Sequence, residues 1–177
     1  MKGRLRKIVA PGPGEIVLNW DLETGKLLTV EVKHAGAVCQ TWSYTYGAAL
    51  QNKHRLTEVA MTRAADEPPE EAKTYRVKLR YFADQYPGEA GGTAGDLMQI
   101  DVTESLTPFP GGMEDPKNKL TRSWYYRYFT GPYTGSGDGA GYAHQVREVY
   151  GPDACRFFNL ADYASADHQD YAERIYE

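Results

Sequence analysis

The sequence predicts a mainly β protein: stacked antiparallel β-hairpins forming a strongly twisted or curled sheet, with one or two short C-terminal helices covering an end. Three observations predict it. A short phrase recurs as Gly3-Arg4-Leu5-Arg6-Lys7-Ile8, Gly25-Lys26-Leu27-Leu28-Thr29-Val30, His54-Arg55-Leu56-Thr57-Glu58-Val59 and, more loosely, Gly95-Asp96-Leu97-Met98-Gln99-Ile100. Between the copies run segments in which aromatic and aliphatic residues alternate with others. Turn-forming residues separate each alternating segment from the phrase that follows.

After the first phrase, Ile16, Leu18 and Trp20 alternate with Glu15, Val17 and Asn19, the period of a strand with one buried face. Asp21-Leu22-Glu23-Thr24-Gly25 then makes a turn, and the second phrase opens the return strand. The same logic gives a strand over Trp42, Tyr44 and Tyr46, a loop from Gly47 to His54, and a return strand from the third phrase. Tyr75, Val77, Leu79 and Tyr81 alternate with Arg76, Lys78 and Arg80, a strand whose basic row is read as a solvated face that discourages edge aggregation. The acidic, proline-containing run Asp66-Glu67-Pro68-Pro69-Glu70-Glu71 reads as a solvated loop, and Pro87 to Gly95 as the turn before the fourth phrase. Each unit is a hairpin. A lone hairpin is marginal in water, so the units are expected to stack, burying the aromatic face and pairing open edges.

Composition changes near residue 103, which divides the chain into hairpin repeats over 1–103 and a segment over 104–177 packed on the same sheet. Leu106 to Lys119 holds Pro108, Pro110, Gly111, Gly112 and Pro116 and reads as an irregular loop. Ser123 to Thr130 reads as a strand with Trp124, Tyr126 and Tyr128 on one face and Tyr125, Arg127 and Phe129 on the other, so burial on both sides or a partner surface is expected. Gly131 to Gly141 is a glycine-rich loop, and His144 to Tyr150 a strand. Pro152-Asp153 marks a helix start, running to about Leu160 with Cys155 inward. Ser165 caps a second short helix, Ala166 to Ala172.

The 14 Tyr and 3 Trp suit large cross-strand contacts, and a net charge of -4 gives no footprint for nucleic acid. No apolar run approaches a membrane span, and the basic start Lys2, Arg4, Arg6, Lys7 lacks the apolar core of a signal peptide. Two cysteines, Cys39 and Cys155, are expected as buried free thiols, with a single bridge left open. No cofactor is expected: the loop Gly131 to Gly141 lacks the Lys-Ser/Thr end of a phosphate-binding loop. Asp138 in that loop resembles a calcium-type turn but is one carboxylate alone. Asp167, His168 and Asp170 could hold a metal or act as a base, against the plainer reading of a polar helix side. Trp42, Trp124, Tyr126 and Tyr128 are the candidates for stacking a sugar or another surface ligand, against the plainer reading of the sheet's inner face.

The run Leu18-Asn19-Trp20-Asp21-Leu22-Glu23-Thr24-Gly25-Lys26-Leu27-Leu28-Thr29-Val30 resembles the RHS, or YD-repeat, proteins, with Trp20-Asp21 in place of Tyr-Asp and Gly25-Lys26-Leu27 in place of Gly-Arg-Leu. Trp124-Tyr125-Tyr126-Arg127-Tyr128, Ala143-His144-Gln145-Val146, Tyr150-Gly151-Pro152 and Tyr171-Ala172-Glu173-Arg174-Ile175-Tyr176-Glu177 are similar to segments of long RHS proteins of environmental bacteria. The resemblance implies part of a spiral β-shell used in toxin encapsulation or cell-surface contact, a fragment of a longer chain, and a cell-surface or secreted parent. It therefore implies a non-enzymatic structural segment, partnered through its sheet edges by itself or by the remainder of a larger RHS protein. Two other readings stand beside it: a small aromatic-rich β-module binding carbohydrate, and a metal-assisted hydrolase centred on Asp167, His168 and Asp170.

Overall fold

The structure, a computed structural model, describes residues 3–48, 54–64, 73–82, 91–106, 119–129, 143–157, 172 and 174–175. The strands are β1 (Lys7–Val9), β2 (Gly14–Trp20), β3 (Leu27–His34), β4 (Ala37–Tyr46), β5 (Leu56–Arg63), β6 (Lys73–Tyr81), β7 (Leu97–Leu106), β8 (Lys119–Tyr128), β9 (Val146–Tyr150) and β10 (Arg174–Ile175), with one helix, α1 (Pro152–Phe157), among the described residues. They form one sheet whose order is the chain order, β1 through β10, so each strand lies beside its sequence neighbours. The sheet is not closed: β1 and β10 end the order. The sequence-derived class, a mainly β run of antiparallel hairpins, is the fold.

The recurring phrase sets the strand starts. Leu27, Leu56 and Leu97 are the first residues of β3, β5 and β7. The first copy differs, since Arg4, Leu5 and Arg6 precede β1. At the opposite end of the strands, β3 and β4 are joined by Ala35 and Gly36, both with positive φ (49° and 83°), the requirement of the tight hairpin turn that matches strand twist. Helix α1 starts at Pro152 with Asp153 in its first turn, and the Cys155 N–H donates to the Gly151 carbonyl at 3.0 Å. The second predicted helix lies outside the described residues except for Ala172.

The chain divides into two compact units, one comprising 1–46, 56–77 and 102–121, the other 47–55, 78–101 and 122–177. In the first, residues directly opposite across the ladders share a face. Ile16 faces Val32, Leu18 faces Val30, Val30 faces Trp42, Trp42 faces Met61 and Tyr44 faces Val59. The other face pairs Glu15 with Lys33, Glu31 with Thr41, Thr29 with Ser43 and Thr45 with Glu58. The period-two pattern thus yields an amphipathic sheet, yet no described residue of this unit is fully buried.

The buried core belongs to the second unit. Phe82, Tyr125 and Tyr150 are its centre, with Met98, Tyr128, Ala154, Cys155 and Ala172 half-buried against it. Phe82 meets Tyr125 edge-on at 6.3 Å, and Tyr125 lies 6.1 Å from Tyr150, the spacing favoured by the ring quadrupole. Within β8 the buried row is Tyr125 and Arg127, continued by Phe129, while Trp124, Tyr126 and Tyr128 stay half-exposed. Neither cysteine is in a disulfide, and both are half-buried rather than buried. Cys39 donates to the Val32 carbonyl at 3.1 Å.

Candidate functional site

The most repeated structure in the molecule is the end of each hairpin where an even-numbered strand turns into the next odd one. The residue after the strand's last aromatic donates its N–H to the carbonyl of the phrase's second residue. These bonds are Asp21 to Lys26 (2.8 Å), Gly47 to Arg55 (2.9 Å), Phe82 to Asp96 (3.0 Å) and Phe129 to Gln145 (2.9 Å). A return bond runs from Gly25 to Asp21 (2.9 Å), Gly95 to Phe82 (3.0 Å) and His144 to Phe129 (3.1 Å). Gly25, His54, Gly95 and His144 all take positive φ: 76°, 76°, 101° and 69°. Glycine adopts this at no steric cost, and histidine is among the side chains that tolerate it. The same closure joins Asp21 to Lys26, 5 positions apart in sequence, and Phe129 to Gln145, 16 positions apart.

Register shifts mark the same place. Trp20 pairs with Leu27 while Asn19 pairs with Thr29, which leaves Leu28 as an extra residue. Thr57 and Arg147 are left over in the same way beside Tyr46 and Tyr128. Each is a β-bulge, which bends the strand and re-aims the adjoining side chain. The structure therefore contains a fifth phrase, His144-Gln145-Val146, which the sequence did not declare because Gln and Val stand where a charged residue and Leu stand elsewhere.

One cation–aromatic contact recurs at these hairpin ends, twice in the first unit and once in the second. The Arg4 guanidinium lies 5.5 Å from the Trp20 ring, the Lys26 ammonium 4.8 Å from Tyr46, and the Arg55 guanidinium 5.4 Å from Tyr81. Each cation comes from one phrase and covers the aromatic ending the next strand, a contact worth about 0.5–1 kcal/mol where exposed. Two of them also fill the space above the next phrase's glycine: a Cβ on Gly25 would land on the Arg4 guanidinium, and one on Gly95 on that of Arg55. At these ends Trp20 Nε1 donates to the Leu5 carbonyl (2.8 Å) and Tyr128 OH to the Leu97 carbonyl (2.9 Å). Asp21 organises the first turn, accepting from the Glu23 and Thr24 N–H groups and the Thr24 hydroxyl. The Thr24 hydroxyl bond holds its carboxyl below the usual range.

The fourth phrase inverts the pattern. Asp96 stands where the cation stands elsewhere, and His144 stands, like His54, in the left-handed position that Gly25 and Gly95 hold. His144 Nδ1 lies 2.8 Å from Asp96 Oδ1 and 3.1 Å from Thr93 Oγ1, while the Thr93 N–H and hydroxyl both donate to Asp96 Oδ2 at 2.9 Å. Both partners crowd one ring nitrogen. A nucleophile and its orienting acid would sit on opposite nitrogens, so the arrangement is that of a clasp between loops.

A second polar cluster lies within the core. Arg127 Nη1 donates to Glu148 Oε2 at 2.9 Å, the Tyr150 hydroxyl donates to the same oxygen at 2.6 Å, and Arg147 Nε lies 3.3 Å from Glu148 Oε1. Glu148 is fully buried. Burial pushes the Tyr150 and Tyr128 phenols up to about 12, helped by the carboxylates of Glu148 and Asp96 respectively. Asp101 accepts from Gln99 and Ser123, both at 2.6 Å.

Of the residues singled out from sequence, Trp42 is half-buried on β4 in the first unit, and Trp124, Tyr126 and Tyr128 are half-buried on one face of β8. Trp42 is thus not brought together with the other three within either unit. Asp138, Asp167, His168 and Asp170 lie outside the described residues. Among the described residues no cluster of His, Cys, Asp or Glu could hold a metal, and no helix is long and apolar enough to cross a membrane. Of the basic row on β6, Arg76 pairs with Glu58 (3.2 Å), Arg80 lies 3.6 Å from Asp101, and Lys78 is exposed. The cation-aromatic contacts escaped sequence reading, although their signal was present: an aromatic closes each even strand before the next phrase, and a cation stands second in the first three phrases. No family model matches the chain, and comparison with curated proteins and with solved structures finds no similar one.

Proposed function

We propose that this chain is a non-enzymatic structural segment of an RHS/YD-type repeat protein, contributing β-hairpins to a wall of the kind used for toxin encapsulation or cell-surface contact. One observation carries the reading: a single hairpin closure recurs along a sheet whose strand order equals the chain order and whose outer strands are not paired to each other. Repeats of this sort gain stability from neighbours rather than from a private core. An open edge is also a template for further strands. The outer strand β1 is exposed throughout, with Ile8 and Val9 among the exposed large apolar residues.

The competing reading is a surface-ligand module, supported by the half-exposed aromatic row of Trp124, Tyr126 and Tyr128. Light scattering across a concentration series separates the two. The structural reading expects association at rising concentration that Val9→Pro removes, because Arg6, Ile8 and Ala10 face β2 and the outward N–H groups of β1 are those of Lys7 and Val9. A mass fixed at the monomer, together with saturable quenching of Trp fluorescence by a glycan, would replace it with the ligand-binding reading.

A further inference from the structure

We propose that the Gly3 end of β1 is a seat for the cation of an incoming β-hairpin, one that carries Arg or Lys at the second position of its phrase and an aromatic at the end of its following strand. The inference rests on the reading that the sheet edges accept strands, and it names the partner. At the two glycine steps inside the molecule, a guanidinium from the preceding phrase occupies the space above the glycine: Arg4 at Gly25 and Arg55 at Gly95. Gly3 stands before Arg4 in the sequence as Gly25 stands before Lys26, and among the described residues nothing lies within 4 Å of where its Cβ would stand. Next to it, Leu5, Ile8 and Val9 are 57%, 46% and 66% exposed. The seat and the strand edge that would deliver its occupant are therefore open together.

The register of β2 on β3 shows how a partner would lie. Leu18 pairs with Val30 and Trp20 with Leu27, so a β2-like strand laid on β1 would put its apolar residue opposite Ile8 and its terminal aromatic opposite Leu5. The cation preceding that strand would then cover the aromatic and come to rest over Gly3, as Arg4 does over Trp20 and Gly25. The charge at this position also says which partner is wanted. The last phrase of this chain carries neutral Gln145 there, so the C-terminal edge of a second copy would pair without filling the seat. The occupant is a Lys- or Arg-bearing hairpin from another repeat.

The test uses the intact chain and a fluorescent peptide of residues 3–20, which contains the required Arg4, strand and Trp20. Binding read by anisotropy should weaken about fivefold with Arg4→Ala in the peptide, and equally with Gly3→Val in the chain. The two changes together should cost no more than either alone. Val9→Pro in the chain, which removes an outward N–H of β1, should abolish binding. If the peptide binds but is indifferent to both Arg4→Ala and Gly3→Val, the edge accepts strands and the cation seat is wrong. If it does not bind, the seat falls and the edge reading loses support with it. If Gly3→Val instead abolishes association of the chain with itself, the occupant is a second copy and the assigned partner is overturned.

Discussion

At the scale of single residues, the left-handed positions carry the repeat. Gly95 has φ 101°, and its missing side chain leaves room for the Arg55 guanidinium. Gly95→Ala therefore faces both backbone strain and the loss of that contact, and should lower unfolding stability by about 1–2 kcal/mol in a urea titration. Gly3→Ala, at the open position, should be close to neutral. Tyr150 makes the second residue-scale prediction. Its phenol is raised from 10.0 to about 12, first by burial and then by Glu148. A folded value above the unfolded one means that this stabilisation is complete below pH 10 and is lost as the pH climbs through about 12. Stability should thus fall across that window while absorbance at tyrosinate wavelengths rises. Tyr150→Phe should flatten the fall without removing it, because Tyr128 titrates in the same range. An unchanged alkaline limb would contradict the assignment.

At the scale of elements, what could be read from sequence was whatever the chain repeats locally. Ile16, Leu18 and Trp20 declared β2, Tyr75 to Tyr81 declared β6, and Pro152-Asp153 declared the start of α1, since periodicity and caps are written in neighbouring residues. The fifth phrase was not legible, because Gln145 and Val146 replace the charged residue and the Leu of the other phrases. The buried side of β8 was not legible either, since aromatics occupy both faces and only the residues packed against them decide. The Asp96–His144 clasp shows how a repeat survives such drift. Asp96→Arg restores the cation of the other phrases but places it against the His144 side chain and removes the acceptor for Thr93. We expect it to be destabilising alone, and the double variant Asp96→Arg/His144→Gly to recover about 1 kcal/mol relative to the sum of the singles. Strict additivity in that cycle would mean that the two positions are not one step of the repeat.

For the whole molecule, burial is unevenly placed. The second unit has a core and the first is an amphipathic sheet without a fully buried described residue. Phe82→Ala, inside the core, should cost about 3–5 kcal/mol, and Trp42→Ala, half-buried on β4, less than half of that. Equal losses in equilibrium unfolding would show that the first unit hides a core of its own. We propose that this hairpin array serves to extend a sheet. Its most direct test is to add a repeat: a second copy of residues 3–24 joined ahead of Gly3, reproducing the junction that already exists between Thr24 and Gly25. Urea unfolding of the lengthened chain should remain a single transition with a higher midpoint, because the new hairpin covers β1 and seats its arginine over Gly3. A midpoint that does not move, or a separate transition for the added hairpin, would contradict the claim.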